Sequence, residues 1–170
     1  MQPVALAVVG LFDPGEAPLF VALCALAGLV ASFAMDVAMV QQEEGFTPAY
    51  VAAAVLLRVS PEDVGFLGAN VVHHAVGVLA GALYALLYLV LALLLPVGPV
   101  VGRVGVVPHV VAAVVVVLFI YSFFAHVVLP RAGRSIYEER STAVCGQWLR
   151  SSLVFGAGFV LVAPFLTAVV

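Results

Sequence analysis

Residues 70–88 read NVVHHAVGVLAGALYALLY, an apolar stretch that contains two adjacent histidines and no other ionisable group except tyrosine. A helix that spans a bilayer needs about 20 mostly apolar residues. The whole chain is 65% hydrophobic and 9% charged, whereas soluble domains carry about a quarter charged residues. The sequence therefore predicts an integral membrane protein.

Four apolar runs predict an all-α membrane protein with four transmembrane helices in a bundle. The spans are expected at about residues 18–40, 66–95, 105–129 and 148–168. An interfacial helix at about residues 48–59 is too short to cross the bilayer. Little polar sequence is left over, so we expect one transmembrane domain over residues 1–170.

Polar segments between the spans have the composition of helix starts. Thr47 is a plausible N-cap before Pro48, and Ser60-Pro61-Glu62-Asp63 combines an N-cap residue, a proline and two acids. This second segment is expected to begin the helix of the second span. Ser135 and Glu138 have capping-box spacing, which predicts a short helix leading into the fourth span.

Charges are few, and their distribution predicts an orientation. The linker after the first span and the region between the third and fourth hold five arginines, Arg58, Arg131, Arg134, Arg140 and Arg150, while the other side has only Arg103. The positive-inside rule then places those five arginines in the cytoplasm and both termini outside the cell membrane. A basic loop beside a membrane also attracts anionic lipid headgroups.

Composition also excludes several functions. The chain has no lysine, which rules out a retinal or pyridoxal Schiff base and a Walker-type phosphate lysine. The net charge is -3 and there is no basic run, so nucleic acid is not expected as a partner.

The first two spans carry faces of small and polar residues. A helix advances about 100 degrees per residue, so positions four apart share a face. These faces are Cys24, Gly28, Ser32 and Asp36 in the first span, and His73, Gly77, Gly81 and Tyr84 in the second. Gly77 and Gly81 form a GxxxG pair, which permits close approach of another helix. We expect the faces to meet, either for packing alone or along a substrate path.

Asp36, His73 or His74, and His126 are expected at similar depth, toward the cytoplasmic half of the bundle. An ionised carboxylate near the bilayer centre costs about 2.5 to 3.5 kcal/mol on insertion scales, so Asp36 needs a partner. A histidine would provide it, as a structural hydrogen bond, a proton relay or a ligand set for a metal. These three interpretations stay open at this point.

The adjacent histidines point about 100 degrees apart, which predicts different partners for His73 and His74. Bis-histidine haem would use one of them with His126, whereas the default expectation is no cofactor. His109 follows Pro108 near the external end of the third span, has no expected acidic partner, and is interpreted as interfacial.

The order of these motifs carries a resemblance. Ala31 to Asp36 reads AxxxMD, a linker helix follows, and His73 to Tyr84 reads HxxxGxxxGxxY. Over about residues 25–90 this resembles prokaryotic four-helix integral membrane proteins of a domain-of-unknown-function type. The resemblance implies a cell-membrane protein without an assigned activity, with Asp36 and His73 as the matching polar positions.

No catalytic motif is present, so the leading hypothesis is a non-enzymatic membrane protein, either an accessory or assembly subunit or a small-solute component. The alternatives are a proton-coupled transporter or channel subunit that uses Asp36 and the histidines, and a metal or haem redox protein. Expected partners are the lipid bilayer and either a second copy or another membrane protein, since four spans are few for a transporter.

Overall fold

The computed structural model describes residues 14–168. Four helices in this range are long and apolar enough to cross a membrane, and a short helix lies between the first two, which confirms the predicted fold class. The helices are α1 Ala17–Met39, α2 Thr47–Leu57, α3 Phe66–Leu94, α4 Val106–Ala132 and α5 Ser135–Thr167.

The start of α2 differs from the predicted cap. Thr47 is the first helical residue rather than the N-cap, and its hydroxyl donates a hydrogen bond of 2.5 Å to Oε2 of Glu44. Phe46 is the N-cap residue, and no side chain caps the start of the helix. The helix ends at Leu57, and the C-cap residue Arg58 has a left-handed backbone with φ 59°.

The predicted helix start at Ser60-Pro61-Glu62-Asp63 is wrong. Pro61–Asp63 form a separate 3-10 turn, and Val64 and Gly65 are extended before α3 begins at Phe66. At its other end α3 stops at Leu94, two residues before Pro96, because a residue before proline disfavours helical backbone.

A small hairpin that the all-α prediction omitted joins α3 to α4. Val100–Val101 pair antiparallel with Val104–Gly105, and Gly102 turns the chain at φ 61°. A side chain at Gly102 would overlap the backbone oxygen of Pro164, so the hairpin packs directly on the last turns of α5.

The third and fourth long helices deviate from the predicted bounds. In α4 a π-helical turn spans Phe124–Val128, just before Pro130. Proline lacks the N–H that would continue the ladder and crowds the preceding turn, which accounts for the local rearrangement. A helix begins at Ser135 and leads into the fourth span, as predicted, but it is continuous with that span. The predicted capping box is wrong, because the N-cap residue is Arg134 and no side chain caps the helix.

The long helices form a ring in which α1 and α4 each pack against both α3 and α5, while α2 packs on α3. The outer surface is strongly apolar, with Leu79 at 66%, Leu161 at 75% and Phe165 at 78% exposure. Such a surface suits lipid as its solvent. At 33 residues α5 is about 50 Å long, which is more than the roughly 30 Å thickness of a hydrocarbon core.

Candidate metal centre

The small-residue faces of α1 and α3 lie in direct contact. A methyl group at Gly28 would overlap the backbone oxygen of Gly77, and one at Gly81 would overlap that of Cys24. Ser32 packs on Gly77. The two helices are therefore antiparallel, and moving four residues forward along α1 corresponds to moving about four residues back along α3. The next step in this register brings Asp36 to His73.

Asp36, His73 and His74 form one compact group. Nε2 of His73 lies 3.1 Å from Oδ1 of Asp36, and Nε2 of His74 lies 3.2 Å from Oδ2. One ligand atom from each of the three residues lies within 4.8 Å of the others. The side chains are 23%, 7% and 12% exposed, respectively, so the group is largely enclosed by protein.

Both histidines therefore contact the same carboxylate, and the prediction of different partners is wrong. The 100-degree separation of neighbouring positions holds for the Cα–Cβ directions, but each imidazole reaches further. Asp36 projects between the two rings, and its two oxygens serve one ring each. The rings stand nearly perpendicular at 83°, with centroids 5.1 Å apart.

The hydrogen bond of His74 identifies the protonated nitrogen of its neutral ring. Its Nδ1 lies 2.9 Å from the carbonyl oxygen of Asn70; a carbonyl only accepts, so Nδ1 must donate. Nε2 of the neutral ring is then a bare lone pair, and it faces the carboxylate of Asp36. Two electron-rich atoms at this distance repel each other unless a proton or a metal ion lies between them.

Two atoms of the group lack hydrogen bonds. Among residues 14–168, Oδ1 of Asp36 and Nε2 of His74 are buried without a hydrogen-bond partner; their short distances within the group do not have hydrogen-bond geometry. By the same reasoning, Nε2 of His73 donates to the carbonyl oxygen of Ser32 at 3.4 Å, so this nitrogen would have to release its proton to bind a metal ion. Buried polar atoms are rarely left unsatisfied, so each needs an explanation.

His126 lies apart from this group. It is on the π-helical turn of α4 with an exposed side chain, and its ring meets the edge of Tyr121 at a centroid distance of 6.4 Å. Ligand atoms from Asp36, His73 and His74 come together without it. The structure thus brings together three of the four predicted residues.

His109 is not interfacial, as the sequence suggested, but 97% buried within the bundle, with 3% exposure. Its Nε2 donates to the carbonyl oxygen of Val160 at 3.1 Å, so Nδ1 accepts the hydroxyl proton of Tyr84 at 2.6 Å. A polar link thus joins α3, α4 and α5. In the sequence, the signal for this contact was the position of Tyr84 on the small and polar face of the second span.

A second polar network, which the sequence also left unassigned, closes the bundle where α1 ends. Glu44 is only 7% exposed; its carboxylate accepts from Arg140 at 2.8 Å, and its backbone N–H donates to Gln147 at 2.7 Å. These contacts tie the linker after α1 to the extended first turns of α5.

A cavity of about 250 Å³ lies beside the group formed by Asp36, His73 and His74. His73 is part of its wall, and apolar side chains from α2, α3, α4 and α5 supply most of the rest, among them Val76, Phe119 and Trp148. There is therefore open space next to His73.

Comparisons of the chain with protein-family models, curated proteins and solved structures found no match. The resemblance to prokaryotic four-helix membrane proteins gains nothing from them and stays a prediction.

Proposed function

We propose that the protein is a non-enzymatic, multi-pass integral membrane protein that binds one divalent transition-metal ion at Asp36, His73 and His74. The observation that carries the proposal is the pair of buried atoms without hydrogen bonds, Oδ1 of Asp36 and Nε2 of His74, within one group of potential ligands. A cation between carboxylate and imidazoles would satisfy both.

The distances suit a small metal ion. Ligand atoms about 2.0 to 2.2 Å from a tetrahedral zinc ion lie roughly 3.3 Å from one another. The imidazole-to-carboxylate distances of 3.1 and 3.2 Å are close to that value, but they join two different oxygens of Asp36. With one ligand atom from each residue, the three atoms lie within 4.8 Å of one another, so small side-chain movements would bring them around one ion. The hydrogen bond from Nδ1 of His74 to Asn70 also supports the proposal, because histidine ligands usually donate their second ring N–H to a carbonyl or carboxylate.

Two imidazoles and one carboxylate favour zinc, iron, nickel or copper over magnesium or calcium, which prefer oxygen ligands. Three protein ligands leave one tetrahedral position for water or a passing solute. Ser32 on the same face donates its hydroxyl to the carbonyl oxygen of Leu29 at 2.7 Å, so it is not poised as a nucleophile. These features support ion binding by a small-solute membrane component.

The other hypotheses from the sequence stay predictions. Proton-coupled transport would use the same three residues, and an assembly role would need only their contacts. Bis-histidine haem would need His126, whose exposed side chain lies apart from the group.

We further infer that the chain forms one transmembrane domain in the cytoplasmic membrane, with both termini outside. The support is the arginine distribution. Arg58, Arg131, Arg134 and Arg140 lie around the helix ends at the Asp36 side of the bundle, whereas Arg103 lies in the opposite hairpin and pairs with Glu16 at 2.6 Å. A basic side retained in the cytoplasm follows the positive-inside rule. A second copy or another membrane protein is the proposed partner.

Metal binding is measured on the purified full chain in neutral detergent, with Co²⁺ as a visible probe and Zn²⁺ as competitor. We expect about one ion per chain, with ligand-field absorption that Zn²⁺ abolishes. Loss of an outer hydrogen-bond partner alone costs about 10- to 100-fold in metal affinity. Asp36→Asn and His74→Gln each remove a direct ligand and are therefore expected to weaken binding by about 100-fold or more.

His126→Gln is the matched control, because it removes an exposed histidine outside the group and should leave affinity unchanged. Thermal unfolding without metal shows whether each variant folds, and added Zn²⁺ should raise the midpoint of the wild type but not of His74→Gln. A wild type that binds no ion, or equal losses in His126→Gln and His74→Gln, would contradict the proposal.

A further inference from the structure

A basic pocket of about 290 Å³ lies where the end of α2 meets the turn between α4 and α5. Arg58, Arg131 and Arg134 line it together with Val55, Val59 and Ala132. Arg58 is more than 70 residues from the other two in sequence, so the fold assembles the pocket.

Among residues 14–168, no carboxylate lies within ion-pair distance of the three guanidinium groups of this pocket. Within residues 14–168 the arginine ion pairs are Arg103 with Glu16 and Arg140 with Glu44. Arg134 donates a hydrogen bond to the hydroxyl of Ser60, which orients the side chain without neutralising it. Three like charges around one space repel one another, and an anion there would reverse that effect.

The backbone at two of these arginines is unusual. Arg58 has φ 59° and Arg134 has φ 47°, and they are the two non-glycine residues with positive φ in the described part of the chain. Glycine adopts this conformation without strain and commonly ends a helix as Arg58 does. Arginine at two such strained positions indicates that these side chains have a function.

The surroundings indicate a lipid rather than a free phosphate compound. Next to the pocket, α2 exposes Val55, Leu56 and Leu57 at 50%, 67% and 57%. These side chains need apolar surroundings, which the acyl region of a bilayer provides. The pocket therefore borders the apolar outer surface of the bundle, at the end that holds five of the six arginines.

We propose that this pocket binds the phosphate group of an anionic phospholipid. Guanidinium groups present forked N–H donors that match phosphate oxygens. Arg58, Arg131 and Arg134 contact those oxygens from both sides of the pocket, while Val55 and Val59 pack against the first carbons of the lipid. The bound lipid joins α2 to the α4–α5 turn.

The test is thermal unfolding of the full chain in neutral detergent, followed by the fluorescence of Trp148, the single tryptophan. Phosphatidylglycerol, phosphatidylcholine and inorganic phosphate are titrated separately. Phosphatidylglycerol is expected to raise the midpoint, and the other two are not. Near a membrane surface, each basic residue increases the affinity for anionic lipid by about fivefold. Arg131→Gln and Arg58→Gly are each expected to weaken phosphatidylglycerol binding by about that factor.

Arg58→Gly also separates binding from folding. Glycine relieves the left-handed strain, so the midpoint without lipid is not expected to fall even though lipid binding weakens. Arg150→Gln, an exposed arginine outside the pocket, is the control of equal charge change and should bind like the wild type. Equal stabilisation by inorganic phosphate and by phosphatidylglycerol, or equal losses in Arg150→Gln and Arg58→Gly, would overturn the proposal.

Discussion

Tyr84 and His109 illustrate how single residues satisfy polar groups inside this apolar bundle. Tyr84 has no exposed surface, and its ring packs on Phe159 at a centroid distance of 4.6 Å. Its hydroxyl donates to Nδ1 of His109, whose other nitrogen donates to Val160. Each of the three long helices α3, α4 and α5 thus contributes one member of the chain of hydrogen bonds.

Tyr84→Phe is expected to lower the free energy of unfolding by about 1 kcal/mol. Interhelical hydrogen bonds in membranes average about 0.6 kcal/mol and reach about 1.7, and here Nδ1 of buried His109 also loses its donor. Unfolding in mixed micelles of increasing denaturing detergent measures the change. Tyr137→Phe removes the same hydroxyl at a 41% exposed position and should have almost no effect; equal losses would contradict the assignment.

At the scale of elements, the contact between α1 and α3 positions the candidate metal centre. In a bilayer the hydrophobic effect does not drive apolar helices together, so their association depends on close packing. Gly28, Gly77 and Gly81 provide it by bringing the two backbones together without intervening side chains. Asp36 and His73 lie further along the same two faces and are therefore held at contact distance.

Gly28→Ala is expected to cost about 1 to 3 kcal/mol in stability and to weaken metal binding as well. The new methyl group would overlap the backbone of Gly77, so the helices must separate, and overpacking typically costs this much. Detergent-induced unfolding and the Co²⁺ titration measure the two effects.

Gly146→Ala is the matched control for that substitution. It lies in α5 with no atom within 4 Å of the added methyl group, and replacing a helical glycine by alanine is expected to stabilise by roughly 0.5 to 1 kcal/mol. If both variants were equally stable, the close contact between α1 and α3 would not hold.

At the scale of the whole molecule, polar contacts at each end tie the helices together outside the apolar region. Glu44 joins the linker to α5 through Arg140, and at the opposite end Arg103 joins the hairpin to Glu16 at the start of α1. The ends differ in arginine content, with five of the six arginines on the Glu44 side. This asymmetry predicts the orientation in the membrane.

Orientation is tested by labelling single cysteines in intact cells with a membrane-impermeant maleimide. The background is Cys145→Ser; Cys24 stays because its exposure is 0%. Val101→Cys, in the hairpin, is expected to react from outside, whereas Glu62→Cys, in the turn before α3, should react only after permeabilisation. The reverse pattern would overturn the proposal that both termini are outside.

Local sequence patterns were enough to predict the class, the four long helices and the faces that bring Asp36 near His73. Apolar length and a period of 3.6 residues are properties of each segment alone. The prediction fails for His126, which lies on a π-helical turn before Pro130 with its side chain exposed. The predicted start of the fourth span, at about residue 148, is also too late, because α5 already includes the polar residues from Ser135 onward. Two of these polar side chains, Arg140 and Gln147, form hydrogen bonds with Glu44 in the linker after α1.

The sequence by itself determined that this chain forms apolar helices and which of their faces are small and polar, since hydrophobicity and periodicity are local. Only the tertiary structure decided that His73 and His74 share the carboxylate of Asp36, that Tyr84 bonds His109, and that Arg58 joins Arg131 and Arg134. Those contacts depend on side-chain reach, helix crossing and backbone conformation at the turns, which are set by residues distant in sequence.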